Sequence, residues 1–83
     1  MRCASIDIGT NTLRLLIADR DPGSGILPVL YKRAITRLGG GYTEDAGISP
    51  EAAERTVKVL EDFSRLIAET HVQEVFASAS SVV

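Results

Sequence analysis

Ile6-Asp7-Ile8-Gly9-Thr10-Asn11-Thr12-Leu13-Arg14-Leu15-Leu16-Ile17 is the stretch on which the reading of this chain turns. Upstream, Arg2-Cys3-Ala4-Ser5 extends its first half into a short β-leaning run. Inside it, Gly9-Thr10-Asn11-Thr12 has the residue types of a tight turn. The stretch therefore reads as a hairpin, with a first strand over residues 2–8 and a return strand over residues 13–19. Asp21-Pro22-Gly23-Ser24-Gly25 breaks the return strand, and Ile26 to about Thr36 reads as a third. Pro28 cannot donate to a ladder, which assigns the third strand to a sheet edge.

Further along, Arg37 to Gly47 holds four of the seven glycines and no apolar period, so it reads as a flexible loop. A helix follows. Ser49 is its N-cap, Pro50 suits the first helical position, and Glu51 puts negative charge in the first turn. Ala53, Val57, Leu60, Phe63 and Ile67 recur at helical spacing and form the stripe expected to face a core. Glu51–Arg55, Glu54–Lys58 and Glu61–Arg65 are spaced for surface ion pairs, worth about 0.3–0.5 kcal/mol each. His71 closes the helix, and Val72 to Ala77 is β-leaning again.

The order is β-β-β-α-β, an α/β unit with a mixed sheet and one helix. Its last strand is expected to run parallel beside the first. Leu13, Leu15 and Ile17 fall on one face of the second strand while Leu16 and Ala18 fall on the other. Both faces are thus apolar, and one helix covers only one of them. The expectation is that the remainder of a parent chain, or a second copy in a homodimer, covers the other.

At 83 residues the chain buries roughly 60% of its unfolded surface, enough for one small domain. Of its residues 45% are hydrophobic and 24% charged, with a net charge of −2, the balance of a globular chain without a basic footprint for nucleic acid. No run approaches the roughly 18 apolar residues of a membrane span, and Asp7 interrupts any signal-peptide core. A cytoplasmic location is expected. Cys3 reads as a small buried hydrophobe, and with His71 the only histidine no His/Cys zinc site can form.

Chemistry is concentrated in the first turn. Gly9 permits close approach of the backbone, successive turn amides can cradle an anion, and the Thr10 and Thr12 hydroxyls add donors. Asp7, just upstream, can hold Mg²⁺ or another divalent cation through water. Residue types alone leave two readings open: a phosphate–metal corner, or an ordinary hairpin with a satisfied aspartate. Glu44 and Asp45 read as solvated loop charge.

The stretch from Ala4 to Ile17 resembles the opening of the exopolyphosphatase / guanosine pentaphosphate phosphohydrolase family, which has the actin–Hsp70–sugar kinase (ribonuclease H-like) fold. Three further pieces occur in that family's order: Arg37-Leu38-Gly39-Gly40-Gly41, the helix start Ile48-Ser49-Pro50-Glu51-Ala52, and Val75 to Val83. The resemblance implies that residues 1–83 are the first part of an N-terminal actin-like lobe. It places Gly9, Thr10, Asn11 and Thr12 around phosphate and Asp7 at the metal or attacking water. Arg14 would face the cleft, with a salt-bridged strand residue as the alternative. Ser80 and Ser81 would edge the polyphosphate site, with capping of a following helix as the alternative.

The resemblance also implies polyphosphate or guanosine pentaphosphate as substrate, with the general-base glutamate, a second phosphate loop and an arginine beyond Val83. No catalytic residue is then expected within the chain, and the 83 residues alone are expected to be inactive. Gly40 stands where the family carries Glu. The rivals are an actin-like ATPase or sugar kinase, whose first phosphate loop is similar, and a noncatalytic oligomerisation or binding module.

Overall fold

The computed structural model describes residues 1–79. Five elements follow in chain order: β1 (Arg2–Ile8), β2 (Thr12–Asp21), β3 (Gly25–Ile35), α1 (Pro50–Glu69) and β4 (Glu74–Ala79). They form one four-stranded sheet in the order β3-β2-β1-β4. β2 pairs antiparallel with β1 and β3, and β4 runs parallel to β1. The mixed α/β unit and the edge position of β3 match the sequence expectation.

Strand β2 is longer than the apolar pattern indicates, whereas β3 keeps its expected length and begins one residue earlier. Pairing continues to Asp21↔Gly25, where the Asp21 carboxylate accepts from Ser24 N at 3.1 Å and Gly25 adopts φ 80. A positive φ is cheap only for glycine, so this residue can enter the strand straight from the turn. The ladder shifts register between Ile17↔Leu30 and Ala18↔Pro28. Val29 is the extra residue, a bulge placed beside the proline that cannot donate.

Register decides the core. Ala4 lies opposite Ile17 and Ile6 opposite Leu15, so these side chains and Leu13 share the face that α1 covers. Ala4, Leu13, Leu15 and Ile17 are fully buried there, with Phe63 of the helix among them. The helical stripe matches the expected one at Leu60, Phe63 and Ile67 and departs from it in the first turns, where Ala52 and Thr56 are buried and Val57 is 50% exposed. Thr56 can turn inward because its hydroxyl donates to Ala52 O at 2.9 Å within its own helix, leaving no orphan donor.

At the helix start, the Ser49 hydroxyl accepts from Ala52 N at 3.2 Å, with Pro50 next in the chain. At the helix end, His71 takes φ 57 and its amide donates to Ala68 O. Arg2 fastens that end to the sheet. Its guanidinium bonds both Asp19 carboxylate oxygens, at 2.8 and 3.1 Å, and donates to Thr70 O at 2.9 Å. The hydrogen bond from Arg2 is the main cause holding the Asp19 carboxyl below its ordinary value, and the same bond raises Arg2.

The other sheet face carries Cys3, Leu16, Tyr31 and Phe76 with no described element above it. Cys3, expected to be buried, is half-buried, because no described element packs on this face. No helix among them is long and apolar enough to cross a membrane.

Candidate functional site

Three residues, Gly9, Thr10 and Asn11, connect β1 to β2, and Gly9 N donates to Thr12 O at 3.0 Å to close the turn. A Cβ on Gly9 would lie 3.0 Å from Thr12 O. Close backbone approach, rather than a positive φ, is what makes this residue glycine.

The turn does not stand alone. Thr36 N and Arg37 N both donate to Asn11 O, at 3.0 and 3.1 Å, and Gly39 N donates to Thr10 O at 3.0 Å. No peptide bond here is cis. In a trans peptide the N–H lies on the edge opposite the C=O. Pinning the carbonyls of Thr10 and Asn11 toward residues 36–39 therefore turns the amides of Asn11 and Thr12 the other way. Carbonyl oxygens, which repel anions, are drawn to one side, and N–H groups are presented on the other.

The Gly39-Gly40-Gly41 segment departs from the sequence expectation of a plain flexible loop. Gly40 N donates to Arg37 O at 2.8 Å, Tyr42 N to Gly39 O at 3.2 Å, and Ser49 Oγ to Gly40 O at 3.1 Å. The glycines serve a folded brace between the helix start and the turn. Gly40 is tightly placed, since a Cβ there would lie 3.0 Å from Arg37 O.

Arg55 is the second departure. Instead of pairing with Glu51 along the helix, it donates from Nε to Thr36 O at 2.9 Å and from Nη2 to Arg37 O at 3.1 Å. Arg65 likewise pairs with Asp62 at 3.0 Å rather than with Glu61, while Lys58–Glu54 forms at 3.7 Å. Thr36, between the turn and Arg55, is 1% exposed, and its hydroxyl has no hydrogen-bond partner among the described residues.

On the face away from the helix, Asp7 lies opposite Arg14, and Arg14 Nη1 approaches its Oδ2 at 3.6 Å. Both are partly exposed at the turn end of the sheet, with Ser78 of β4 alongside Asp7 in the register. Arg14 is therefore ion-paired with Asp7 while its side chain stays about half exposed at the turn end. Gly9, Thr10, Asn11, Thr12, Asp7 and Arg14 all gather at this end. Ser80 and Ser81 lie outside the described residues.

The sequence reading missed the amides of Thr36, Arg37 and Gly39, together with Arg55. One signal was available: a turn with exposed carbonyls needs partners for them, and a glycine-rich segment after an edge strand can supply amides.

Residues 16–83 match the Ppx/GppA phosphatase family. The chain belongs to that family. It is 40% identical over 83 residues to exopolyphosphatase 2 of Mycobacterium tuberculosis, covering 96% of this chain and 26% of the relative. A bifunctional 3-dehydroquinate synthase/phosphatase of Fusobacterium nucleatum is 36% identical over 75 residues, or 86% of this chain and 11% of that one. Among solved structures, the Aquifex aeolicus PPX-GPPA enzyme superposes with a TM-score of 0.89 at 38% identity, covering 99% of this chain and 27% of that one. An exopolyphosphatase from Cytophaga hutchinsonii gives 0.90 at 30% identity, with 99% and 26% covered. The four strands and one helix thus have the actin-like architecture of Ppx/GppA enzymes, and the chain spans about a quarter of the exopolyphosphatases it matches.

Proposed function

We propose that the β1–β2 turn is the first phosphate loop of a phosphohydrolase that releases terminal orthophosphate from polyphosphate, or the 5′ γ-phosphate from guanosine pentaphosphate. The observation that carries this reading is the pinning of both turn carbonyls by the 36–39 brace, which leaves the Asn11 and Thr12 amides directed away from it. Membership of a family containing exopolyphosphatases supports it.

In phosphoryl transfer, aligned donors and cations offset charge on the transferring group, while a carboxylate orients water. Gly9, Thr10, Asn11 and Thr12 grip the phosphate, and Arg14 adds a cation at the same end. The general base comes from elsewhere in the whole protein.

Asp7 is suited to Mg²⁺. Among the described residues no three His, Cys, Asp or Glu side chains gather into a metal cage. A single carboxylate, partly exposed and paired with Arg14 at 3.6 Å, suits the ion that keeps most of its waters and takes its other oxygens from phosphate. When bound, the ion supplies positive charge against the phosphate oxygens. The open sheet face supports a further reading: its exposed Leu16, Tyr31 and Phe76 are covered by other parts of the parent chain or by a second copy.

Orthophosphate release by the complete protein tests the proposal. Gly9→Val and Asp7→Ala are each expected to lower turnover of polyphosphate with Mg²⁺ by at least about 100-fold, the scale of losing positioned charge stabilisation. Wild-type turnover in both variants overturns it. Displacement of bound polyphosphate by ATP at equal concentration would instead favour an ATPase or sugar kinase.

A further inference from the structure

We infer that Arg55 is a positioning residue for the phosphate turn, acting through the peptide between Thr36 and Arg37; this rests on the function proposed above. One peptide unit carries the connection. Its oxygen, Thr36 O, accepts from Arg55 Nε at 2.9 Å, and its N–H, on Arg37, donates to Asn11 O at 3.1 Å. Because the unit is planar, fixing the oxygen on one edge aims the N–H on the other. Arg55 thereby reaches the turn across a rigid group that it does not itself extend beyond.

A second bond does the same one residue later. Arg55 Nη2 donates to Arg37 O at 3.1 Å, and Gly40 N donates to that same oxygen at 2.8 Å. Arg37 holds φ 49, a conformation that a residue with a side chain keeps only where its surroundings impose it. Two donors from one guanidinium, spaced to meet successive carbonyls, impose it here. A lysine ammonium has no such fork.

The chain of contacts closes on the site. With the 36–37 peptide held, Asn11 O stays bonded and the Thr12 amide is aimed away from the brace. The Ser49 hydroxyl holds Gly40 O at 3.1 Å in parallel, next to Gly39, whose amide holds Thr10 O. Helix α1 thus serves two purposes. One stripe packs the core, and a residue off that stripe sets the geometry of the turn.

The test uses the complete protein, with tripolyphosphate as the probe and orthophosphate release as the readout. Arg55→Gln, Arg55→Lys and Gly9→Val are compared, with thermal midpoints measured for each. Arg55→Gln is expected to raise KM about tenfold with kcat changed less than threefold, the pattern of weakened phosphate binding without lost chemistry. Arg55→Lys, which keeps the charge and donors on a single nitrogen, is expected to recover about half of that loss on a logarithmic scale.

Wild-type KM in a folded Arg55→Gln, alongside impaired Gly9→Val, overturns the positioning role and leaves the phosphate-turn reading intact. Wild-type kinetics in Gly9→Val overturns both. Should Arg55→Gln fail to fold, Arg55→Lys decides: an intermediate KM supports the proposal and a wild-type KM overturns it.

Discussion

Helix α1 is fastened to the sheet at both ends, each time by an arginine donating to backbone carbonyls, and the two fastenings differ in kind. At the C-terminal end, Arg2 bonds Thr70 O and also both oxygens of Asp19, so its charge is met by a carboxylate. At the N-terminal end, Arg55 bonds only carbonyls, Thr36 O and Arg37 O. The first fastening joins β1, β2 and the end of α1 and stops there. The second continues through amides into the turn that carries the candidate site. A hydrogen bond to one carbonyl suffices to hold the helix end down, whereas orienting the loop calls for a rigid peptide.

Phe63 lies between the two ends, and its loss tests whether they share one core. Phe63→Ala is expected to destabilise the fold by about 3–5 kcal/mol, the cost of a large buried cavity, lowering the urea midpoint and exposing amides at both ends to hydrogen exchange alike. Loss of protection at one end only would show that the ends open independently.

Ser49→Ala strikes the N-terminal end alone. It removes a helix cap worth about 1 kcal/mol and the bond to Gly40 O. Faster exchange of the Gly39 amide, with the Gln73 amide that donates to Arg2 O unchanged, is the expected signature. Thr36→Val sharpens the same end in the opposite sense. It replaces a buried hydroxyl without a partner among the described residues by a methyl of similar shape. Stability is expected to rise by about 1 kcal/mol, and a fall in the thermal midpoint would show that the hydroxyl has a use.

Acid separates the ends most gently. Asp19 is held below its ordinary value chiefly by the hydrogen bond from Arg2, and Asp21 chiefly by that from Ser24. A carboxyl lowered on folding contributes stability that is present above its ordinary value of about 4 and is lost as pH falls through the lowered one. Asp19→Asn is therefore expected to be less stable than wild type near neutrality, with the gap closing at low pH. A gap independent of pH would mean that the ion pair does nothing beyond its hydrogen bonds.

The elements were legible because their signals are local. Pro28 named the edge strand, Ser49-Pro50 marked the helix start, and the Gly9–Thr12 turn types marked the hairpin. The two-sided apolarity of β2 also announced an uncovered face, where Leu16, Tyr31 and Phe76 are exposed. What escaped was long-range. Spacing placed Arg55 beside Glu51, yet the guanidinium reaches residues 19 and 18 positions away. The stripe was rotated at Val57 because hydropathy alone does not see that the Thr56 hydroxyl can satisfy itself on Ala52 O. For the site, Gly9 to Thr12, Asp7 and Arg14 were legible from their types, whereas the amides behind the turn belong to no motif and become visible only with the fold.

The outer borders of the sheet differ in a way that matters for handling this polypeptide. β3 presents Pro28, Lys32 and Arg33 along its length, residues that discourage a stray strand from docking. β4 offers Val75 and Phe76, both about half exposed, with Glu74 its only charge. Expressed on its own, the 83-residue chain should stack into insoluble ribbons along β4, and a lysine at Val75 is the substitution that would keep it in solution.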